Sequence, residues 1–179
     1  MEKEVVTVII PAYNEELSIN RLVQDTLKVV GRYTKHFEIL VIDDGSNDHT
    51  CDEASKIRSK KIKVIRNEKN IGKTKTILRG FALAKGAIIS FIDADYQYDP
   101  RDLPRVIEQV KNGADLCVGY RRRRQDAFYR KFMSFFFNMF DRLLFGIKIR
   151  DVNSGLKAFR KESFKTINIR YLSTRWFID

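Results

Sequence analysis

Asp93 and Asp95 stand one residue apart at the end of a short apolar run, Ile88-Ile89-Ser90-Phe91-Ile92. The run has the length and composition of a buried strand. Residues two apart in a strand share a face, so two carboxylates leaving a sheet together can converge on one cation. Gln97 adds a neutral oxygen two positions on. Carboxylate and amide oxygens suit Mg²⁺ or Mn²⁺ and not zinc. The same pattern also occurs as a solvated turn after a core strand. Open α/β sheets bind ligands at the carboxyl ends of their strands, which is where these acids fall.

Other polar residues end other apolar runs. The β-branched stretch at residues 5–10 is followed by Pro11-Ala12-Tyr13-Asn14-Glu15. Glu15 reads either as a first-turn acid favoured by the helix dipole or as an acceptor for ligand hydroxyls. Phe37-Glu38-Ile39-Leu40-Val41-Ile42 runs into Asp43-Asp44-Gly45-Ser46. Gly45 permits a tight turn, and Ser46 or Asp48 could cap the next helix. One of the two aspartates can be no more than a cap or Asx-turn residue. Two acids and a glycine are also what a base- or ribose-reading loop needs. Gly72-Lys73-Thr74 invites a phosphate-loop reading, but the glycine required five residues earlier is Asn67. Lys73 can still approach a phosphate near a helix N-terminus.

The elements that must position these residues alternate. Ile19, Leu22, Val23, Leu27 and Val30 recur at helical spacing, with Gly31 as the stop. Residues 62–65 make a short third strand. Residues 73–85 predict a helix with Leu78, Phe81 and Ala82 inward. Residues 102–112 predict another, striped by Leu103, Val106, Ile107 and Val110, with Pro104 tolerated in its first turn. A fifth strand covers 115–119. The pattern is that of a parallel doubly wound sheet forming one domain with a different tail. In that tail, Arg121-Arg122-Arg123-Arg124 reads as a solvated loop or an anion clamp. The aromatic stretch at 128–145, with Arg130 and Lys131 near its start, reads as core, dimer seam or a helix lying on lipid. Asp151, Asn153 and Ser154 precede Gly155 in a turn, and residues 161–164 open a short helix.

Composition sets limits. The 179 residues suffice for one domain with a real core. A formal net charge of +11 favours phosphorylated ligands, nucleic acid or an acidic membrane surface. Helix-turn-helix, zinc-finger and RNP signals are lacking, which argues against nucleic acid. Cys51 and Cys117 match no zinc spacing and read as free thiols. With only two histidines, a histidine-built metal site is disfavoured. No signal peptide is visible, and no stretch reaches the roughly 20 apolar residues of a membrane span. Residues 171–179 read as the start of a further element, as if the chain were cut short.

Taken in order, Pro11-Ala12-Tyr13-Asn14-Glu15, Asp43-Asp44-Gly45-Ser46, Asp93-Ala94-Asp95 and Asp151-Val152-Asn153-Ser154-Gly155 resemble family 2 glycosyltransferases of the GT-A fold. The nearest branch resembled is that of the dolichyl-phosphate mannose synthases and polyprenyl-phosphate glucosyltransferases. The resemblance covers essentially the whole chain and extends to Gln97, Phe128-Tyr129-Arg130-Lys131 and Gly155-Leu156-Lys157-Ala158-Phe159. It implies a GT-A α/β fold with a mostly parallel central sheet and helices on both faces. A nucleotide-binding half would cover about 1–119 and an acceptor-side half about 120–179.

By the same resemblance, Asp95 and Gln97 hold Mg²⁺ or Mn²⁺ on the donor diphosphate, with Asp93 beside it. Glu15 takes the ribose, and Asp44 faces the base with Pro11 and Tyr13. Asp43, Lys73 and Ala94 complete the nucleotide side. Arg121 and Arg130 act with Asp93 and Asp95, Arg130 gripping the acceptor phosphate, and Asp151, Asn153 and Ser154 line the sugar or acceptor side. The implied reaction is inverting transfer of a hexose, mannose or glucose, from a GDP-mannose or UDP-glucose type donor to polyprenyl or dolichyl phosphate. The alternatives are a hydroxyl acceptor such as a polysaccharide, or an inactive nucleotide-sugar-binding paralogue. Members of the branch continue past this point, and Asp179 resembles the acid of a motif that opens a later helix. The expected place of work is the cytoplasmic face of a membrane, peripherally on anionic lipid, with a homodimer or a membrane-anchoring partner as further options.

Overall fold

The computed structural model describes residues 4–119 and 154–164. Strand β1 is Val6–Ala12, helix α1 Ile19–Tyr33, β2 Phe37–Asp43, α2 Thr50–Ser55, β3 Ile62–Arg66, α3 Lys73–Leu83 and β4 Ile88–Ile92. A 3-10 turn, Pro100–Asp102, leads into α4, Leu103–Lys111, and then come β5, Leu116–Val118, and β6, Leu156–Arg160. A second 3-10 turn, Glu162–Phe164, follows. Sheet order among the described residues is β3-β2-β1-β4-β6-β5.

The sheet is parallel from β3 through β4. It departs there from an all-parallel doubly wound sheet. Strand β6 enters between β4 and β5 and runs antiparallel to both. Helix α4 carries the chain one place beyond β4's neighbour, and the strand from the tail fills the gap. Ser90 ties the junction by donating its hydroxyl to the Lys157 carbonyl at 2.7 Å.

The continuous apolar runs are explained by burial on both faces. In β1, Val6, Val8, Ile10 and Ala12 enter one core with α1 and α4, while Ile9 enters the other with α3. The same alternation divides Ile39 and Val41 from Leu40 and Ile42 in β2. Phe81 of α3 meets Phe159 of β6 edge-on, ring centroids 4.8 Å apart.

Two helical expectations need correction. Helix α1 runs past Gly31 to Tyr33, and the Thr34 N–H closes it on the Val30 carbonyl. A C-terminal glycine stop works through a left-handed φ, and Gly31 does not adopt one. In α3, Ala82 is exposed, and the face toward the sheet is Thr76, Ile77, Gly80 and Phe81. Small residues decide this face. A β-carbon on Gly80 would lie 2.8 Å from the Ile9 side chain, so the helix packs on β1 at glycine distance.

The start of β4 is fixed by a polar clasp under the sheet. Glu38 accepts hydrogen bonds from the Thr7 hydroxyl at 2.8 Å and the Lys85 N–H at 2.7 Å. The Thr7 hydroxyl in turn accepts from the Gly86 N–H at 2.8 Å. A β-carbon on Gly86 would stand 2.6 Å from the Thr7 nitrogen. Gly86→Ala should therefore lower unfolding free energy by about 1–3 kcal/mol, the usual cost of overpacking, read as a lower urea midpoint with an unchanged slope.

Candidate active site

Strands β1 to β4 are parallel, so the loops after them gather at one edge of the sheet. The chain winds outward from β1 to β3, then crosses to β4 on the other side of β1. A crevice belongs at such a switch point. A cleft of about 180 Å³ opens there. Pro11, Ala12, Tyr13 and Glu15 line it from β1, Asp44 from β2, Lys73 and Thr76 from α3, and Asp93, Ala94 and Asp95 from β4.

The first two loops are stitched to each other. Asn14 adopts a left-handed φ of 54°. Its N–H donates to the Ser46 hydroxyl and its side-chain oxygen accepts from the Asn47 N–H, both at 2.9 Å. The Glu15 N–H donates to the Thr50 hydroxyl at 2.7 Å. Asp48 accepts from the Thr50 N–H at 3.0 Å, from the position before His49, which caps the N-terminus of α2.

The two adjacent aspartates divide their work. Asp43 is fully buried, accepts from the Ser46 N–H at 3.1 Å, and pairs with the Arg66 guanidinium at 3.2 Å. It braces the loop and does not line the cleft. Asp44 does line it. Its carboxylate accepts from the Asn67 side-chain amide at 2.6 Å, the Ile71 N–H at 3.0 Å and the Gly72 N–H at 2.9 Å. That contact holds the loop immediately before α3. A β-carbon on Gly45 would sit 2.5 Å from the Lys69 backbone, so glycine is required where the two loops cross.

Asp93 is fixed from several sides. Its N–H donates to the Gly155 carbonyl at 3.0 Å. Its Oδ2 lies 1.9 Å from where a β-carbon on residue 155 would be. Tyr98 accepts the Gly155 N–H at 2.8 Å. Lys73 Nζ stands 2.6 Å from Asp93 Oδ1. Asp95 is exposed and accepts the Gln97 N–H on Oδ1 at 3.0 Å. Between them Tyr96 takes a left-handed φ of 59°, a costly conformation for a bulky residue. Its hydroxyl bonds to Asp25, and Arg21 lies 4.9 Å over its ring. Helix α1 thus holds the turn that presents Asp95.

The residues fit a hard divalent cation that shares its shell with a ligand. No group of three or more His, Cys, Asp or Glu side chains among the described residues is arranged to hold a metal by itself. Asp95 supplies an exposed oxygen at the cleft, and Mg²⁺-type sites take one or two carboxylates with the rest from phosphate and water. Gln97 is exposed and its side chain is not among those lining the cleft. Ser154 is buried, and its hydroxyl donates to the Leu156 carbonyl at 3.1 Å, away from the cleft lining. Arg121, Arg130, Asp151 and Asn153 lie outside the described residues.

Two contributors carry a weak sequence signal. Thr76 follows Lys73 by three residues, one helical turn on, and so shares its face. Asn67 bonds Asp44 and the Thr76 hydroxyl together, and only its place at the end of β3 marks it.

The crowding of acids is felt by Glu15. Burial raises its carboxyl above the ordinary range. The Ser18 hydroxyl, donating at 2.6 Å, opposes that, and the charges of Asp95, Asp48 and Asp93 push it further up. An acid with a raised folded pKa loses stability as pH rises from its unfolded value through its folded one. Glu15→Gln, which can still accept from Ser18, should therefore melt higher than wild type at pH 7.5. The gain should vanish well below the ordinary carboxyl value of 4.5, where Glu15 is protonated both folded and unfolded. Gly155→Ala should disturb Asp93 directly and weaken metal-dependent ligand binding, by calorimetry, more than its melting shift accounts for.

Residues 7–167 match the family described as Glycosyl transferase family 2. The chain is 36% identical over 159 residues to the undecaprenyl-phosphate 4-deoxy-4-formamido-L-arabinose transferase of Pectobacterium atrosepticum, covering 87% of this chain and 49% of that one. It is 30% identical over 168 residues to the dodecaprenyl-phosphate galacturonate synthase of Rhizobium johnstonii, covering 91% and 50%. The chain spans about half the length of the curated relatives it matches. Among solved structures it resembles glucosyl-3-phosphoglycerate synthase from Mycobacterium tuberculosis, a complex with Mn²⁺, UDP-glucose and phosphoglyceric acid. The TM-score is 0.72 at 22% identity, over 92% of this chain and 59% of that one. The mixed, mostly parallel sheet between helices is thus the GT-A fold. With its acids at the switch point and this match over most of its length, the chain belongs to glycosyl transferase family 2.

Proposed function

We propose that this chain is the donor-binding and catalytic region of a metal-dependent enzyme that transfers a sugar from a nucleotide-sugar to a polyprenyl phosphate. The observation that carries the reading is the cleft at the β1–β4 switch point, where Glu15, Asp44, Lys73, Asp93 and Asp95 converge. The two relatives described above act with prenyl phosphates, one on a deoxy-formamido-arabinose and one on galacturonate. Their sugars widen the expectation of mannose or glucose to sugars in general.

An acceptor phosphate oxygen attacks the anomeric carbon, and the bond from that carbon to the diphosphate oxygen breaks with its electron pair leaving on the nucleotide. A phosphate monoester has its second pKa near 6 and is an anion at neutral pH, so the reaction needs no strong base. A single displacement inverts the anomeric centre. The rate rests on stabilising charge that develops on the leaving group. Asp95 would hold Mg²⁺ or Mn²⁺, which supplies positive charge to the diphosphate when bound. Glu15 accepts from ribose hydroxyls. Arg130 would hold the acceptor phosphate, a guanidinium being suited to a bidentate grip, with Arg121 as a further cation of the reaction and Asp151 and Asn153 serving the sugar or acceptor. Ser154, buried and bonded to the Leu156 carbonyl, leaves that set.

The bonding of Asp44 supports a choice of base within this reading. A carboxylate offers about four acceptor positions, and three are taken by Asn67, Ile71 and Gly72. One position suits the single imide N–H of uracil. Guanine presents two adjacent donors, and one would be left unpaired at a cost of about 1–3 kcal/mol. UDP-glucose in the M. tuberculosis neighbour agrees with that choice for its own protein. UDP should thus bind at least about fivefold tighter than GDP. Equal affinities in calorimetry would remove uracil from the proposal.

The acceptor's tail lies in lipid and the donor is water-soluble, so the enzyme works peripherally at the cytoplasmic face of a membrane. No helix among the described residues is long and apolar enough to cross one. The deciding experiment offers the chain radiolabelled UDP-sugars with undecaprenyl phosphate in Mn²⁺. Label should pass to the lipid phase, and Asp95→Ala should abolish the transfer. Donor binding without transfer to any prenyl phosphate, even when the chain is extended to its relatives' full length, would leave a nucleotide-sugar-binding protein only.

A further inference from the structure

Four acids line the cleft, and among the described lining residues they face one cation, Lys73. Asp44 is satisfied by three N–H donors. Lys73 Nζ has gone instead to Asp93, 2.6 Å from Oδ1. The lysine side chain is 37% exposed and the aspartate's 17%, so the pair sits at the cleft wall and not in the core. The backbone beneath the lysine is fixed. Gly72, just before it, has a φ of 89° and gives its N–H to Asp44. The ammonium itself rides on a flexible four-carbon stem, and nothing lies within 4 Å of a β-carbon placed on Gly72. Asp93 has no such freedom, because Gly155 holds it by backbone and by close contact.

We propose that Lys73 is an exchangeable counter-ion. In the free protein its ammonium neutralises Asp93. When a nucleoside diphosphate arrives, the ammonium moves to the phosphate oxygens and leaves the Asp93–Asp95 edge to the dication. The inference rests on the donor-site reading above and adds a coupling to it. An ammonium held against one carboxylate repels a dication approaching the same edge. Diphosphate removes that repulsion by giving the ammonium a better anion. Metal alone therefore binds weakly, diphosphate strengthens it, and by linkage metal strengthens diphosphate by the same factor. A lysine that stays on Asp93 in every state would leave only the coupling that comes from phosphate oxygens ligating the metal directly.

The test titrates Mn²⁺ and UDP, separately and together, into the 179-residue chain by calorimetry, comparing wild type, Lys73→Met and Lys73→Arg. Lys73→Met should bind Mn²⁺ alone about fivefold or more tighter, and UDP alone about fivefold or more weaker, effects at the low end of ordinary coupling between sites. The factor by which UDP strengthens Mn²⁺ binding should shrink, and Lys73→Arg should restore it. Unchanged or weaker binding of Mn²⁺ alone in Lys73→Met, with Mn²⁺ and UDP still binding together, would overturn the exchange and leave a static ion pair. Failure of wild type to bind UDP with Mn²⁺ would instead overturn the donor-site reading, and the inference with it. If Lys73→Met does not fold, the Lys73 Nζ resonance of wild type decides: it should shift on adding UDP, and an unmoved signal at saturation refutes the exchange.

Discussion

Asp93 Oδ2 lies 1.9 Å from the position a β-carbon on residue 155 would take, so the two segments approach this closely only because residue 155 is glycine. The Asp93 N–H bonds to the Gly155 carbonyl in the same contact. One is the residue after β4, the other the residue before β6, and the two strands pair from Ile92 and Leu156 onward. The register of that antiparallel ladder and the position of the cleft acid are therefore one constraint. Tyr98 closes it by accepting the Gly155 N–H from beneath the β4 turn.

The rest of the cleft is held by similar exchanges between loops. Asn14 and Glu15 rest on Ser46 and Thr50, Asp44 holds the amides of Ile71 and Gly72, and Lys73 reaches back to Asp93. A chain of contacts runs from the end of β1 through β2 and α3 to β4. Loops anchored in this way keep several acids close together before any ligand arrives. The cost appears on Glu15, whose carboxyl is pushed up by burial and by neighbouring carboxylates. Concentrating like charge in a cleft destabilises the free protein and prepares it for cations and hydroxyls, a common exchange of stability for function.

Two backbone positions show the same exchange. Tyr96 and Asn14 are the non-glycine residues with positive φ among those described, and each sits beside a cleft acid. Asn14 is a residue type that tolerates the left-handed region. Tyr96 is not, and its ring and hydroxyl are tied to Arg21 and Asp25 on α1. Strain of this kind persists where surrounding contacts over-determine it.

Much of this was legible in the sequence because it depends on local period and local chemistry. Continuous β-branched runs gave the strands, the 3.6-residue stripe gave α1 and α4, and acids at strand ends gave the edge where the cleft lies. Four ordered motifs pointed to the family. What the sequence could not supply was set by residues far apart in the chain. Gly31 lies inside α1 because its φ stays helical, and the inner face of α3 follows Gly80 because Ile9 leaves room for no side chain. The insertion of β6 between β4 and β5 depends on pairing across more than sixty residues. Asp43 and Asp44 look equivalent as neighbours, yet strand alternation buries one beneath Arg66 and sends the other to the cleft. Asp93 was visible as an acid. That its carboxylate meets both Lys73 and a bare glycine backbone was decided only when three distant segments packed together.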